Sequence, residues 1–428
     1  MRRKSFIEFI CLMLFFLILF TPRSFEKMPL TAGIYNKMFP VHCLVLLVAI
    51  ILSATVGFRN LKNLIVPGAA VFILSSLMIC FLHGGDYKLF LRATVHLLAV
   101  LILVSYEFYR KDNCFLEACA WYFTVILVIN LFFLIVKPEG LATFAEYSKD
   151  NAFRQIDRIN FIEVDNRLSL PVLISIATAY MLPDKRINKV LRIVALIVGG
   201  ATNFLTMSGT GLGSYFVMLI YVLMIHKSKI RSKIVNMKTI LAAYFFCMLL
   251  IVYAGMIPPL AALIQNVLHK DLTFSGRTEI WQLCIEMISK HPVIGYGNFE
   301  SGWIITWHGI DRNAHNLFFD ILIQGGIVML GGYLAMLFTV FKTAIDHKDK
   351  RSGLLLILYF TLFVVLLCES FLDNCYVFLA FSLAIAGYFK QSERYALLKR
   401  IKAIALPEKQ IEGKMRWTSS LQTTSPRS

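Results

Sequence analysis

Apolar runs of bilayer length recur along the chain, at residues 5–21, 38–56, 64–83, 89–108, 114–136, 168–183, 190–207, 210–226, 239–261, 315–341, 353–371 and 374–389. Because about 20 apolar residues carry a helix across the hydrocarbon core, the pattern predicts about twelve transmembrane helices. The sixth run, LSLPVLISIATAYML, is short for a span and is expected to tilt or re-enter. The first run follows Arg2, Arg3 and Lys4 in the manner of a signal peptide. TPRSFEKM after it offers no small-residue cleavage site, so this run is expected to stay as an anchor.

Composition agrees with the pattern: 58% hydrophobic and 16% charged residues are more apolar surface than a soluble core of 428 residues can hide. The expected class is an all-α, polytopic integral membrane protein. Placing the loops alternately on two sides puts about two thirds of the 43 lysines and arginines on one side, together with both termini. That side is therefore expected to be cytoplasmic, and the net charge of +17 reads as topology and contact with anionic lipid rather than nucleic-acid binding. Residues 1–389 form the expected membrane domain, and residues 390–428 a basic, partly disordered cytoplasmic tail. A cysteine placed at Gly302 should be labelled from outside the cell and one at Ser232 only from the cytoplasm; the reverse pattern would invert the topology.

Several chemistries are absent from the sequence. The nine cysteines form no CxxC pair, and there is no P-loop, no GxGxxG after a strand and no HExxH. No metal and no cofactor is expected. The polar residues gather instead in two outer loops, 137–167 and 262–314. In the second, TEIWQLCIEMIS places Glu279, Gln282, Glu286 and Ser289 on one stripe and Ile280, Trp281, Cys284, Met287 and Ile288 on the other, which predicts a short amphipathic helix. His291 and Pro292 end it, and GYG at 295–297 turns the chain.

Arg277 falls in the first turn of that helix, where free backbone N–H groups and the helix dipole favour an anion. It reads either as a diphosphate clamp or as a snorkelling cation paired with a carboxylate. Downstream, DRNAHNLFFDILIQGG opens the tenth run, with Asn313 as its expected cap and His315 and Asn316 at its mouth. Asp320, one turn deeper, is an ionisable group within a span and suggests a polar cavity. Arg92 and His96 share a face near the outer end of the fourth run, as cavity lining or as a buried structural pair.

The letters GR, Trp, HP, GYG, then HN at the start of a span and a GG pair resemble the O-antigen ligase and polymerase superfamily of bacterial membrane glycosyltransferases. They fall here on Gly276, Arg277, Trp281, Pro292, Gly295, Gly297, His315, Asn316 and Gly325. The resemblance implies a GT-C-like architecture, with the ligase-related region at about 190–345, and a polyprenyl-diphosphate-linked glycan as donor. It strengthens Arg277 and His315 as catalytic residues; Asp320 is expected to join them as the ionisable group within the span, with Asn316 and Trp281 in substrate binding. An arginine common in the superfamily after Thr-x-Ser is missing from TMSGTGLG, 206–213, where Gly209 stands. Arg154, Arg158 and Arg167 of the first outer loop are the expected substitutes for binding substrate.

The expected reaction needs no metal: arginines hold the diphosphate leaving group, and His315, Asp320, Glu163 or Glu300 receives the acceptor proton. The favoured activity is polymerisation of undecaprenyl-diphosphate-linked repeat units at the outer face of a bacterial inner membrane. A flippase and a chain-length regulator are the expected partners. The alternatives are ligation of the glycan to a lipid A-core or other terminal acceptor, and transport of the lipid-linked glycan.

Overall fold

The structure, a computed structural model, describes residues 3–35, 37–83, 87–110, 113–147, 153–229, 231–253, 277–297, 305–307, 310–312, 314–345, 350–371, 374–386 and 388–389. The basic tail and Glu300 lie outside these residues, as does Asn313. Among the described residues every apolar run holds a helix, as the bilayer demands, because a lipid-exposed backbone must satisfy its own N–H and C=O groups. In chain order the helices are α1 (Arg3–Leu19), α2 (Ser24–Lys27), α3 (Pro29–Tyr35), α4 (Met38–Thr55), α5 (Ile65–His83), α6 (Tyr87–Tyr109), α7 (Cys114–Val136) and α8 (Ser169–Met181). They continue with α9 (Arg186–Leu205), α10 (Gly209–Ile220), α11 (Arg231–Ile234), α12 (Met237–Tyr253), α13 (Arg277–Lys290), α14 (Leu317–Ile345), α15 (Lys350–Cys368) and α16 (Cys375–Ser382).

Among the described residues, seven helices are long and apolar enough to cross a membrane, and three shorter apolar ones accompany them. The protein is thus an all-α polytopic membrane protein. Two small antiparallel hairpins, β1 (Ala142–Tyr147) with β2 (Phe153–Ile159) and β3 (Ile305–Trp307) with β4 (Ile310–Arg312), decorate its loops without changing that class.

The short sixth run forms α8. At about 1.5 Å per residue its 13 residues rise only about 20 Å, less than the roughly 30 Å hydrocarbon core. Its neighbours α7, α9, α10 and α15 cover it, and Ser169 to Ala179 are all buried. A helix that sees protein rather than lipid is free of the length that lipid imposes, and this one forms the middle of the core. Thr124 on α7 and Ser175 on α8 meet there at 2.9 Å, which satisfies two hydroxyls where no water is at hand.

Polar contacts sort the helix ends into two faces. At one, Arg110 meets Glu8 at 2.7 Å, Lys185 meets Glu117 at 3.6 Å and Arg351 reaches Asn113. At the other lie the β1–β2 hairpin, the end of α9, α13 and the mouths of α14 and α16. The second face carries the candidate chemistry.

Candidate functional site

A break in α14 organises this face. Gly326 has φ 58° and ψ −156°, a backbone that only glycine adopts readily, so the helix is interrupted within the span. Interruption frees carbonyls on one side and N–H groups on the other, each costing several kcal/mol if left bare in lipid. The segment after α13 supplies their partners. Tyr296 N–H donates to Ile323 O and Gly297 N–H to Gln324 O, both at 2.8 Å, while Ile327 N–H donates to Pro292 O at 2.9 Å and Val328 N–H to Val293 O at 3.2 Å.

This interlock explains the glycines on both strands of the chain. A Cβ on Gly326 would stand 2.3 Å from the Val293 backbone, and one on Gly295, at φ 63°, would stand 2.5 Å from Ile323 O. The GYG and GG letters are therefore a docking device that fixes α13 against α14.

Helix α13 is described from Arg277 to Lys290, in keeping with the amphipathic pattern. Its Ile280 and Cys284 are buried against Ala314 and Ile323, with Trp281, Met287 and Phe319 packed around them, whereas Gln282, Glu286 and Ser289 are exposed. Burial pushes the Cys284 thiol up to about 12, with a smaller contribution from the Asp320 charge. Trp281 Nε1–H donates to Ala314 O at 3.0 Å, the carbonyl immediately before His315. Arg277 lies one turn before Trp281 on the same stripe.

The mouth of α14 departs from its expected form. The helix starts at Leu317, and its cap is Asn316 rather than Asn313: Asn316 Oδ1 accepts from the N–H groups of Phe318 and Phe319 at 3.0 and 3.1 Å. Its Nδ2 donates to Leu367 O at 3.1 Å and so ties α14 to the end of α15. His315 lies outside the helix in the left-handed region, at φ 45°, so the helical phase expected between it and Asp320 does not exist. The end of α15 joins them instead. His315 Nδ1 stands 3.6 Å from Glu369 Oε2, and Asp320 Oδ2 accepts a hydrogen bond from Ser370 Oγ. The Glu369 side chain is 7% exposed and that of His315 23%, so the pair is shielded but open on the imidazole side.

The arginines of the first outer loop separate into different roles. Arg154 lies on β2, and its side chain is outside the description. Arg158 donates from Nε to Asp165 Oδ2 at 2.7 Å, from Nη1 to Pro138 O and from Nη2 to Leu205 O at 3.3 Å. It therefore braces the hairpin against the end of α9, beside the TMSGTGLG turn. A Cβ at Gly209 in that turn would meet nothing within 4 Å, so packing does not account for the missing arginine. Arg167 stacks over the Phe371 ring at 4.9 Å and faces Glu163 at 4.0 Å.

Arg167 also lines a cavity of about 380 Å³ with Arg23, Arg92, His96 and Glu163. Arg92 and His96 are thus cavity lining and not a pair; His96 Nε2 is 2.6 Å from Leu19 O. Sequence reasoning missed Arg23, Glu369 and Ser370. A carboxylate at the end of an otherwise apolar run was the available signal for Glu369.

An all-α membrane protein with its polar groups collected at one mouth defines the class. Within it, residues 194–334 match the family model described as O-antigen ligase, so the segment from α9 into α14 is a domain of that family, in keeping with the O-antigen ligase and polymerase superfamily. The match, over about a third of the chain, supports a membrane enzyme of the O-antigen ligase and polymerase type, and glycosyl transfer is the class of reaction that the family implies. No curated protein matches the chain.

Proposed function

We propose that the protein elongates a glycan by joining polyprenyl-diphosphate-linked repeat units at the outer face of a bacterial cytoplasmic membrane, with both termini in the cytoplasm. The observation that carries this reading is the arrangement at the mouth of α14, where a half-shielded histidine with a buried carboxylate at its back adjoins the docked helix α13. In the reaction the acceptor hydroxyl oxygen forms a bond to the anomeric carbon of the donor sugar, and the bond from that carbon to the lipid diphosphate breaks. The hydroxyl proton passes to His315, and the electron pair leaves with the diphosphate.

Each group has a task in this scheme. Arg277 holds the charge that develops on the departing diphosphate. Glu369 stabilises the imidazolium as His315 takes the proton, and Asp320 and Asn316 fix the segment that carries Glu369. Trp281 holds α13 at the correct distance from His315. Of the loop arginines, Arg167 has its guanidinium on the cavity side and is assigned to substrate, while Arg158 serves the scaffold beside the turn in which Gly209 replaces an arginine. Arg154 is kept as a further substrate contact.

Polymerisation is favoured over ligation because a second cationic recess, lined by Arg23, Arg92 and Arg167, is present, and a polymerase handles two diphosphate lipids where a ligase handles one. The test is incubation of the purified protein with a single lipid-linked repeat unit. A ladder of longer lipid-linked chains is expected. Inertness until a lipid A-core or other terminal acceptor is added would instead establish ligation.

A further inference from the structure

A helix that ends in water leaves its last carbonyls to solvent, but α1 does not. Thr21 Oγ1–H donates to Leu17 O at 2.8 Å, His42 Nε2–H of α4 to Ile18 O at 3.1 Å, His96 Nε2–H of α6 to Leu19 O at 2.6 Å and the Tyr122 hydroxyl of α7 to Phe20 O at 2.7 Å. Side chains therefore meet all four open carbonyls, three of them from other helices, as a helix end requires where water is scarce.

The level of this end is fixed by its neighbours. Glu8 marks the face where it meets Arg110, and at about 1.5 Å per residue the rise from Glu8 to Leu19 is about 16 Å, half of the roughly 30 Å hydrocarbon core. On α7 the matching level is that of Tyr122 and Phe123, whose rings lie 5.6 Å from Phe16 and 5.4 Å from Phe20. From there α7 runs on for about 20 Å to Val136, and Phe132, Ile135 and Val136 are still exposed apolar side chains. The chain thus leaves α1 near mid-bilayer.

Residues 21–35, which the apolar runs place in a loop, stay below that rim. Arg23 N–H donates to Ile162 O at 2.8 Å and Ser24 N–H to Phe161 O at 3.3 Å, while Ile162 N–H donates to Asn130 Oδ1 at 3.0 Å. Asn130 lies about 9 Å short of Val136 along α7. The charges around α2 are paired, Arg23 with Glu163 at 2.8 Å and Glu26 at 3.8 Å, and Lys27 with Glu26 at 3.0 Å. On α3, by contrast, Leu30 and Ile34, one turn apart, are 89% and 68% exposed, and α4, which follows directly, exposes Leu44, Leu47 and Ile51. An apolar face of this kind, beside paired charges and within the depth of the bilayer, marks a contact with lipid.

We infer that residues 21–35 form a re-entrant element seated in the leaflet on the side of the candidate site, with Leu30 and Ile34 against lipid acyl chains. Arg23 and Tyr35 of this element line the recess beside Arg167, so the recess is sunk in that leaflet too. The inference does not depend on the glycosyl-transfer reading.

Tryptophan emission tests it in the full-length protein reconstituted in phosphatidylcholine vesicles, read as the signal added to that of the five native tryptophans. For Leu30→Trp and Ile34→Trp, lipids brominated along their acyl chains should remove most of the added emission, and aqueous iodide almost none. Either position alone is sufficient for the reading, should the other variant fail to fold. Quenching by iodide without quenching by brominated lipid would put this face in water, open to a soluble partner, and overturn the inference. Protection from both quenchers would mean that protein covers the face, and would overturn it equally.

Discussion

Arg277→Lys should lower chain elongation by about 10–100-fold with the protein present in the membrane at its normal level, although the charge is retained. A guanidinium can bridge two oxygens of a diphosphate with paired, fixed N–H bonds, whereas an ammonium presents a point charge with no fork. The leaving group gains its charge only as the glycosidic bond breaks, so the loss should fall on kcat more than on KM. His315→Ala should cost about 100-fold or more, in the range typical of a lost general base. The measurement is the rate of ladder formation from a purified lipid-linked repeat unit. Wild-type rates in either variant would remove that residue from the mechanism.

Glu369→Gln separates a supporting carboxylate from a merely structural one. The amide keeps the size and hydrogen-bonding capacity of the side chain but no longer favours a charged imidazole. The pH–rate profile of the variant should move its lower limb toward more acidic pH, since His315 would hold its proton less tightly, and kcat on the plateau should fall because the favourable pairing with the imidazolium is gone from the transition state. If the limb stayed where it is in the wild type and kcat were unchanged, the proposed role of the Glu369 charge would fail.

The fold was largely legible because membrane helices are written in long apolar runs, and α13 because its two stripes differ in polarity at helical spacing. The purpose of the motif letters was not legible. The interlock joins residues 292–297 to 323–328 through backbone groups, and no side-chain pattern records which carbonyl meets which N–H. Asp320 was visible as a carboxylate within a span, but Glu369 was hidden at the end of another run, and its meeting with His315 depends on how α15 packs on α14. Arg23 was equally hidden, in a flank that reads only as the end of an anchor. Its contact with Glu163 spans 140 positions. Local sequence cannot state such distances, whereas a cationic recess depends on them.

Gly326→Ala should abolish activity without touching any group assigned to the reaction. The backbone region at φ 58° and ψ −156° costs a residue bearing a Cβ about 1–3 kcal/mol, and the new methyl would stand 2.3 Å from the Val293 carbonyl group. Relief requires α14 to straighten or the 292–297 segment to leave, and either movement breaks the four backbone hydrogen bonds that hold α13 in place. Arg277 and Trp281 then lose their position relative to His315. Cys284 offers a direct readout, since its thiol is fully buried and pushed up to about 12, so little reactive thiolate exists near neutral pH. In a variant whose only cysteine is Cys284, maleimide should fail to label the otherwise wild-type protein and should label Gly326→Ala readily. Gly331→Ala, where a Cβ meets nothing within 4 Å, should leave both activity and protection intact. Should Gly326→Ala elongate chains normally while Cys284 stays protected, the broken helix would not be what positions the site.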